Sequence, residues 1–143
     1  MMADSEDYKS RLNAYTQGRD YLQMLRESAG VIVDLIRGVP DEVLHRSPVA
    51  GKWSIAKILA HLADDEIATA WRYRQMLENP GCTLPGFDQD AWAQMGNHVE
   101  SNPQDSLDLY RRLRQANLRV LERLSTDQLE LMGCSPRTRA HYG

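Results

Sequence analysis

The sequence predicts an all-α protein: three long amphipathic helices joined by short turns and one long crossover. Three observations predict it. Apolar residues recur at three and four positions over three long stretches, the spacing that lines one face of a helix. β-Branched residues are few and no stretch alternates with period two, so strand signals are nearly absent. Glycine and proline cluster at the ends of the periodic stretches, where helices stop, with Gly30 the one exception inside a stretch.

Residues 1–18 are polar, with Tyr8, Leu12 and Tyr15 as a weak stripe interrupted by Gly18. From about 19 to 37 the stripe strengthens through Tyr21, Leu22, Leu25, Ala29, Ile32, Val33, Leu35 and Ile36. Gly38 and Pro40 end this first long helix. Gly30 inside it costs about 1 kcal/mol against alanine, which close packing against another helix would explain. Asp41 is expected to cap one short turn that carries Val43 and Leu44 inward. Residues 45–52, marked by Pro48 and Gly51, read as a loop in which His45 is a solvated histidine.

The second long helix is expected over about 54–79, with Ser54 as its cap and Trp53 folded back on Ile58 as a hydrophobic staple. Its apolar face is Ile55, Ile58, Leu59, Leu62, Ile67, Ala70, Tyr73 and Leu77, and Asn79-Pro80-Gly81 stop it. Residues 80–103 read as a long ordered connection with a short helix near 88–95. A crossover of that length lets two helices lie in other than hairpin order. Asn102 and Pro103, a cap and a first-turn proline, open the third long helix. Leu107, Tyr110, Leu113, Asn117, Leu121 and Leu124 form its stripe, and Arg111, Arg112, Arg114, Arg119 and Arg123 read as a solvated basic face. A second short capped turn follows at Ser125–Leu129, stopped near Gly133.

The 143 residues fit one domain spanning the chain, 1–143, with one core. A formal net charge of −3 gives no basic footprint for nucleic acid. No apolar run approaches the roughly 20 residues of a membrane span. The acidic, polar start has no hydrophobic segment of a signal peptide, so a cytoplasmic location is the expectation. Cys82 and Cys134 lie far apart in loops and form neither a disulfide framework nor a Cys-x-x-Cys motif; both read as inert thiols.

His61 is the residue with chemistry. It borders the apolar face of the second helix one turn after Ile58. Asp64 and Asp65, three and four positions on, stand on its side of the helix. A histidine with a carboxylate one turn away can hold a metal, hold a proton, or close the edge of a core. Trp53 and Trp92 read as core plugs, and Arg72 with Asp88 as an ion pair tying the crossover to the second helix.

The chain repeats itself loosely. Leu35-Ile36 followed by Val39–Leu44 resembles Leu121–Leu124 followed by Ser125–Leu129: a long helix, a capped turn, then a proline-containing loop. By the same offset a fourth long helix is expected to begin near residue 140. Three amphipathic helices without it leave an apolar groove, which a continuation of the chain or a second copy in a homodimer would fill.

Gly51-Lys52-Trp53-Ser54-Ile55, His61-Leu62-Ala63-Asp64, Arg72, and Leu84-Pro85-Gly86-Phe87-Asp88 with Trp92 occur in this order over roughly residues 20–143 and resemble the DinB/YfiT-like superfamily. The resemblance implies an up-down-down-up four-helix bundle, here with three long helices present and the fourth missing. It implies a divalent metal, zinc, nickel or iron, held by three histidines: one matching His61 and two from a His-x-x-x-His pair on the fourth helix. Family members include thiol-dependent S-transferases, isomerases and metal-dependent hydrolases. This sequence has no His-x-x-x-His. His98 and His141 are the remaining histidines, and His141 resembles the loop before the fourth helix rather than a ligand.

Two functions follow. In the first, a metal at His61 drives hydrolysis of a small molecule or transfer of a low-molecular-weight thiol to it, with Asp65 as a polar helper. In the second, the bundle is a non-catalytic interaction module that acts as a homodimer.

Overall fold

The computed structural model describes residues 20–131, together with Ser10 and Gly18. The expected weak stripe at Tyr8–Tyr15, Cys134, His141 and the start of a fourth helix lie outside the described residues. Six α-helices are described: α1 (Tyr21–Ile36), α2 (Asp41–His45), α3 (Ile55–Glu78), α4 (Gln89–Met95), α5 (Pro103–Leu121) and α6 (Thr126–Leu131), with a 3-10 turn at His98–Glu100. The three long helices expected from periodicity are α1, α3 and α5.

Side chains with few good alternatives set the helix ends. Ser54 Oγ accepts from Lys57 N at 3.2 Å and opens α3. Asn102 Oδ1 accepts from Gln104 N and Asp105 N at 2.9 and 3.1 Å, with Pro103 in the first turn of α5. Each bond satisfies an amide that the helix itself leaves unpaired. Ser125 and Gln128 exchange bonds in a reciprocal cap before α6. Asp20 caps α1, which periodicity alone does not indicate. Asp41 is not a cap: it is the first residue of α2 after Pro40, where its charge favours the helix start. Gly38 leaves α1 at φ +73, a conformation that L side chains rarely adopt.

Packing gives the helix directions. Leu59 and Ala63 on α3 meet Leu107 and Tyr110 on α5 in one cluster, with Ala29, Ile32, Val33 and Ile36 of α1 against it. Tyr73 and Leu121 meet in a second cluster with Leu22 and Leu25 of α1. Thus α3 and α5 run parallel, and α1 runs against both. The crossover between Asn79 and Asn102 is what allows a parallel pair, since a hairpin would force the helices antiparallel.

The buried face of α3 is narrower than expected and rich in alanine. Ala56, Leu59, Ala60, Ala63 and Tyr73 are buried, whereas Ile58 and Ile67 stay 42% and 43% exposed. Alanines let α3 and α5 approach closely, and the larger isoleucines fall outside that seam. Gly30 is exposed on α1, with nothing within 4 Å of a Cβ built on it, so close packing does not explain it.

Between the two apolar clusters lies a polar layer. Arg114 donates from Nε to Glu66 Oε1 at 2.8 Å, and from Nη1 to Leu25 O at 3.1 Å and Ser28 Oγ at 2.5 Å. Asn117 Nδ2 donates to Glu66 O and Oε2 at 3.1 and 2.9 Å. The layer joins all three long helices. Arg114 is therefore not part of a solvated basic face. Burial alone would loosen the guanidinium's hold on its proton, but the hydrogen bond and charge of Glu66 reverse this and raise its pKa above the ordinary value.

Candidate functional site around His61

His61 sits two turns into α3, and its side chain is 18% exposed. Its Nε2 stands 3.2 Å from Asp65 Oδ2, four residues along the same helix. The contact is an ion pair without hydrogen-bond geometry; because a carboxylate only accepts, it favours the tautomer with the proton on Nε2. The lone pair then lies on Nδ1, and Nδ1 is buried without a hydrogen-bond partner. Buried polar atoms are nearly always satisfied, so an orphan on a histidine with an oriented ring calls for an explanation.

Aromatic rings hold the imidazole in place. Trp53 meets it edge-on with centroids 5.3 Å apart, and Phe87 of the crossover lies tilted at 6.3 Å. Phe87 in turn packs on Trp92 at 4.5 Å. Trp53 also carries the Lys57 ammonium 4.1 Å above its ring. Its ring contacts are thus made with polar residues of α3, while Ile58, the expected staple partner, remains partly exposed.

The two neighbouring carboxylates serve different histidines. Asp65 faces His61, and burial raises its pKa from the usual carboxylate value against the opposing pull of His61. Asp64 instead meets His98 Nε2 at 2.5 Å across the crossover. His98 is buried, and no periodic signal marks it; the Gly96-Asn97 turn just before it is the one hint in the sequence. Arg72 ties the crossover to α3 as expected but through other partners, donating to Pro85 O at 3.2 Å and lying over Phe87 at 5.8 Å. Asp88, the partner expected for Arg72, accepts from Asp90 N and Ala91 N and caps α4. His45 is not a solvated loop residue either. It ends α2 with Nδ1 3.0 Å from Asp41 O and Nε2 3.0 Å from Ser101 O.

A catalytic divalent site takes about three protein donors. His61 supplies one, and among the described residues no group of three His, Cys, Asp or Glu side chains comes together. What the described residues fit is one donor with its orienting carboxylate. A cavity of about 480 Å³ lies elsewhere, between α1, α2 and the start of α5, and is lined by Val33, Leu44, Pro103, Leu107 and Arg111 among others, with no histidine. No described helix is long and apolar enough to cross a membrane.

The DinB superfamily model matches residues 24–141. The chain belongs to the DinB superfamily. Two proteins that carry the name "Putative metal-dependent hydrolase" are similar to it. YfiT of Bacillus subtilis is 22% identical over 93% of this chain and 75% of its own length. OB0413 of Oceanobacillus iheyensis is 26% identical over 52% of this chain and 43% of its own. The solved structure of YfiT, described as an unusual four-helix bundle topology, superposes with a TM-score of 0.70 over 76% of this chain and 62% of that one. The DinB fold expected from the tryptophan loop, the His-Leu-x-Asp helix and the Asp-x-x-x-Trp crossover is therefore the fold found.

Proposed function

We propose that this DinB-family chain is a divalent-metal-dependent hydrolase acting on a small molecule, with His61 as one metal donor and Asp65 as the carboxylate that orients it. The observation that carries this reading is the buried, unpartnered Nδ1 of His61 on a ring whose Nε2 faces the Asp65 carboxylate at 3.2 Å. Metal-ligating histidines characteristically give their other ring N–H to a carboxylate, which fixes the tautomer and strengthens the donor. A divalent ion bound there supplies a Lewis acid and an activated water. The protein's own residues orient the ring through Asp65 and shield it with Trp53 and Phe87. The names of YfiT and OB0413 support the metal-dependent hydrolytic class.

Zinc, nickel and iron all suit an imidazole donor. S-Transfer from a low-molecular-weight thiol needs the same ion, and an assay with and without added thiol separates the two reactions. The proposed setting is a cytoplasmic homodimer. Exposed apolar side chains such as Leu35, Trp71 and Met95 support an interface and also favour the second reading, a non-catalytic dimeric module. Metal analysis of the purified wild type beside His61→Ala tests the first reading. The wild type is expected to hold a divalent ion that His61→Ala loses, with Asp65→Asn weakened about 10- to 100-fold. Equal metal in wild type and His61→Ala would remove His61 from the site.

A further inference from the structure

One buried pair of ionisable groups, His98 and Asp64, takes no part in the proposed site. Asp64 lies next to Asp65 in sequence, yet its partner is a histidine 34 residues further on. His98 is 8% exposed, and a turn just before it sets its ring inward. Asn97 just before it is in the left-handed region at φ 48. A Cβ built on Gly96 would stand 2.5 Å from His98 Cε1 and 2.8 Å from its Nδ1, so the ring fills the space that any other residue at 96 would need.

What this backbone achieves is attachment. The segment from Pro85 to Ser101 carries Phe87, which lies on His61, and Trp92, which supports Phe87. At its start the segment is held by Arg72, through the Pro85 carbonyl and the Phe87 ring. At its far end it is held by His98 on Asp64, followed by Ser101 Oγ donating to Ala56 O at 3.3 Å. The seven-residue α4 lies between these fastenings. The short His98–Asp64 bond, shielded from water, is of the charge-assisted kind and roughly twice as strong as a neutral one.

We propose that the His98–Asp64 pair is a latch that holds the crossover closed over His61, so that opening the crossover, rather than any motion of α3, sets access to the imidazole. His98 and Asp64 are positioning residues that act on His61 through Phe87. The inference rests on the proposed function only in treating His61 as the site.

Hydrogen exchange with peptide-resolved mass spectrometry tests it on the full chain, comparing wild type with Asp64→Ala and His98→Gln. In Asp64→Ala the amides of residues 84–97 should exchange on the order of 10- to 100-fold faster, with α1 and α5 unchanged. His98→Gln retains a donor for Asp64 and should recover part of the protection. Mapping the carbethoxylation of His61 by diethyl pyrocarbonate adds the second readout. The rate at His61 should rise several-fold in Asp64→Ala, and equally in Phe87→Ala, whose α4 and 3-10 amides stay protected. Crossover exchange within twofold of wild type in Asp64→Ala would overturn the latch. So would acceleration shared equally by α1 and α5, or a His61 rate that does not change. If Asp64→Ala does not fold, the same comparisons on Asp64→Asn, with a smaller expected rise, decide the matter. A wild type without bound metal would retire the hydrolase reading and leave the exchange result intact.

Discussion

Replacing Arg114 with leucine should destabilise the protein by about 3 kcal/mol, the low end of the roughly 3–5 kcal/mol lost when one partner of a buried ion pair is removed. The low end applies because the Arg114 side chain retains 13% exposure, beside 7% for Glu66. The substitution removes two contacts to Glu66 Oε1, at 2.8 Å from Nε and 2.6 Å from Nη2, and leaves the carboxylate with Asn117. It also strips donors from Leu25 O and Ser28 Oγ, so α1 loses its part-buried polar tie to α5 and keeps the exposed Arg26–Glu122 pair at the helix end. Urea denaturation at neutral pH is the assay. With a slope near 2 kcal/mol/M, about 3 kcal/mol moves the midpoint down by about 1.5 M. Adding Glu66→Leu to Arg114→Leu should recover part of the loss, because no lone buried charge remains; the two changes should couple by about 1–3 kcal/mol. If Arg114→Leu cost under about 0.5 kcal/mol, the layer would behave like a solvated surface pair, and its reading as the buried join of three helices would be wrong.

Other substitutions have equally definite outcomes. Gly30→Ala should raise stability by about 1 kcal/mol, since the site is helical, exposed and empty around the new methyl; a drop in the urea midpoint would mean that something contacts this position. Leu107→Ala should cost about 2–5 kcal/mol, because Leu107 is 2% exposed in the α3–α5 seam and leaves a cavity; thermal and urea unfolding measure it. His45 should titrate above 6.5 by NMR, because the backbone carbonyls of Asp41 and then Ser101 face both ring nitrogens and favour the doubly protonated ring. Its folded pKa is raised, so its contribution to stability is fully present below the ordinary value and is lost as pH rises through the folded one. A His45→Gln variant should flatten that part of the stability profile; an unchanged profile would place the titration elsewhere.

Local chemistry is what the sequence displays well. Ser54, Asn102-Pro103 and Ser125 each act within three residues, so the helix starts can be read directly, as can the freedom from hairpin order that a long crossover gives. The contents of the seam are harder to see. Counting apolar residues favours Ile58 and Ile67 over Ala56, Ala60 and Ala63, because periodicity weighs hydrophobicity and not the closeness that small residues permit. Arg114 escapes the pattern for a related reason: periodicity treats arginine as polar, whereas its burial depends on Glu66 lying 48 positions away. The His61–Asp65 pair is four residues apart and visible on a helical wheel. The His98–Asp64 pair exists only after the crossover folds back, and nothing local announces it beyond Gly96-Asn97. Asp88 illustrates the competition within loops, where capping its own helix wins over the distant Arg72.

The metal reading depends on Asp65 holding the His61 proton on Nε2 and so leaving Nδ1 bare for an ion. Long-range nitrogen–proton NMR of the imidazole rings, before and after adding a divalent metal, measures this directly. His61 should show a protonated Nε2 and an unprotonated Nδ1, and the ion should displace the Nδ1 signal. A proton found on Nδ1, with Nε2 bare, would contradict it.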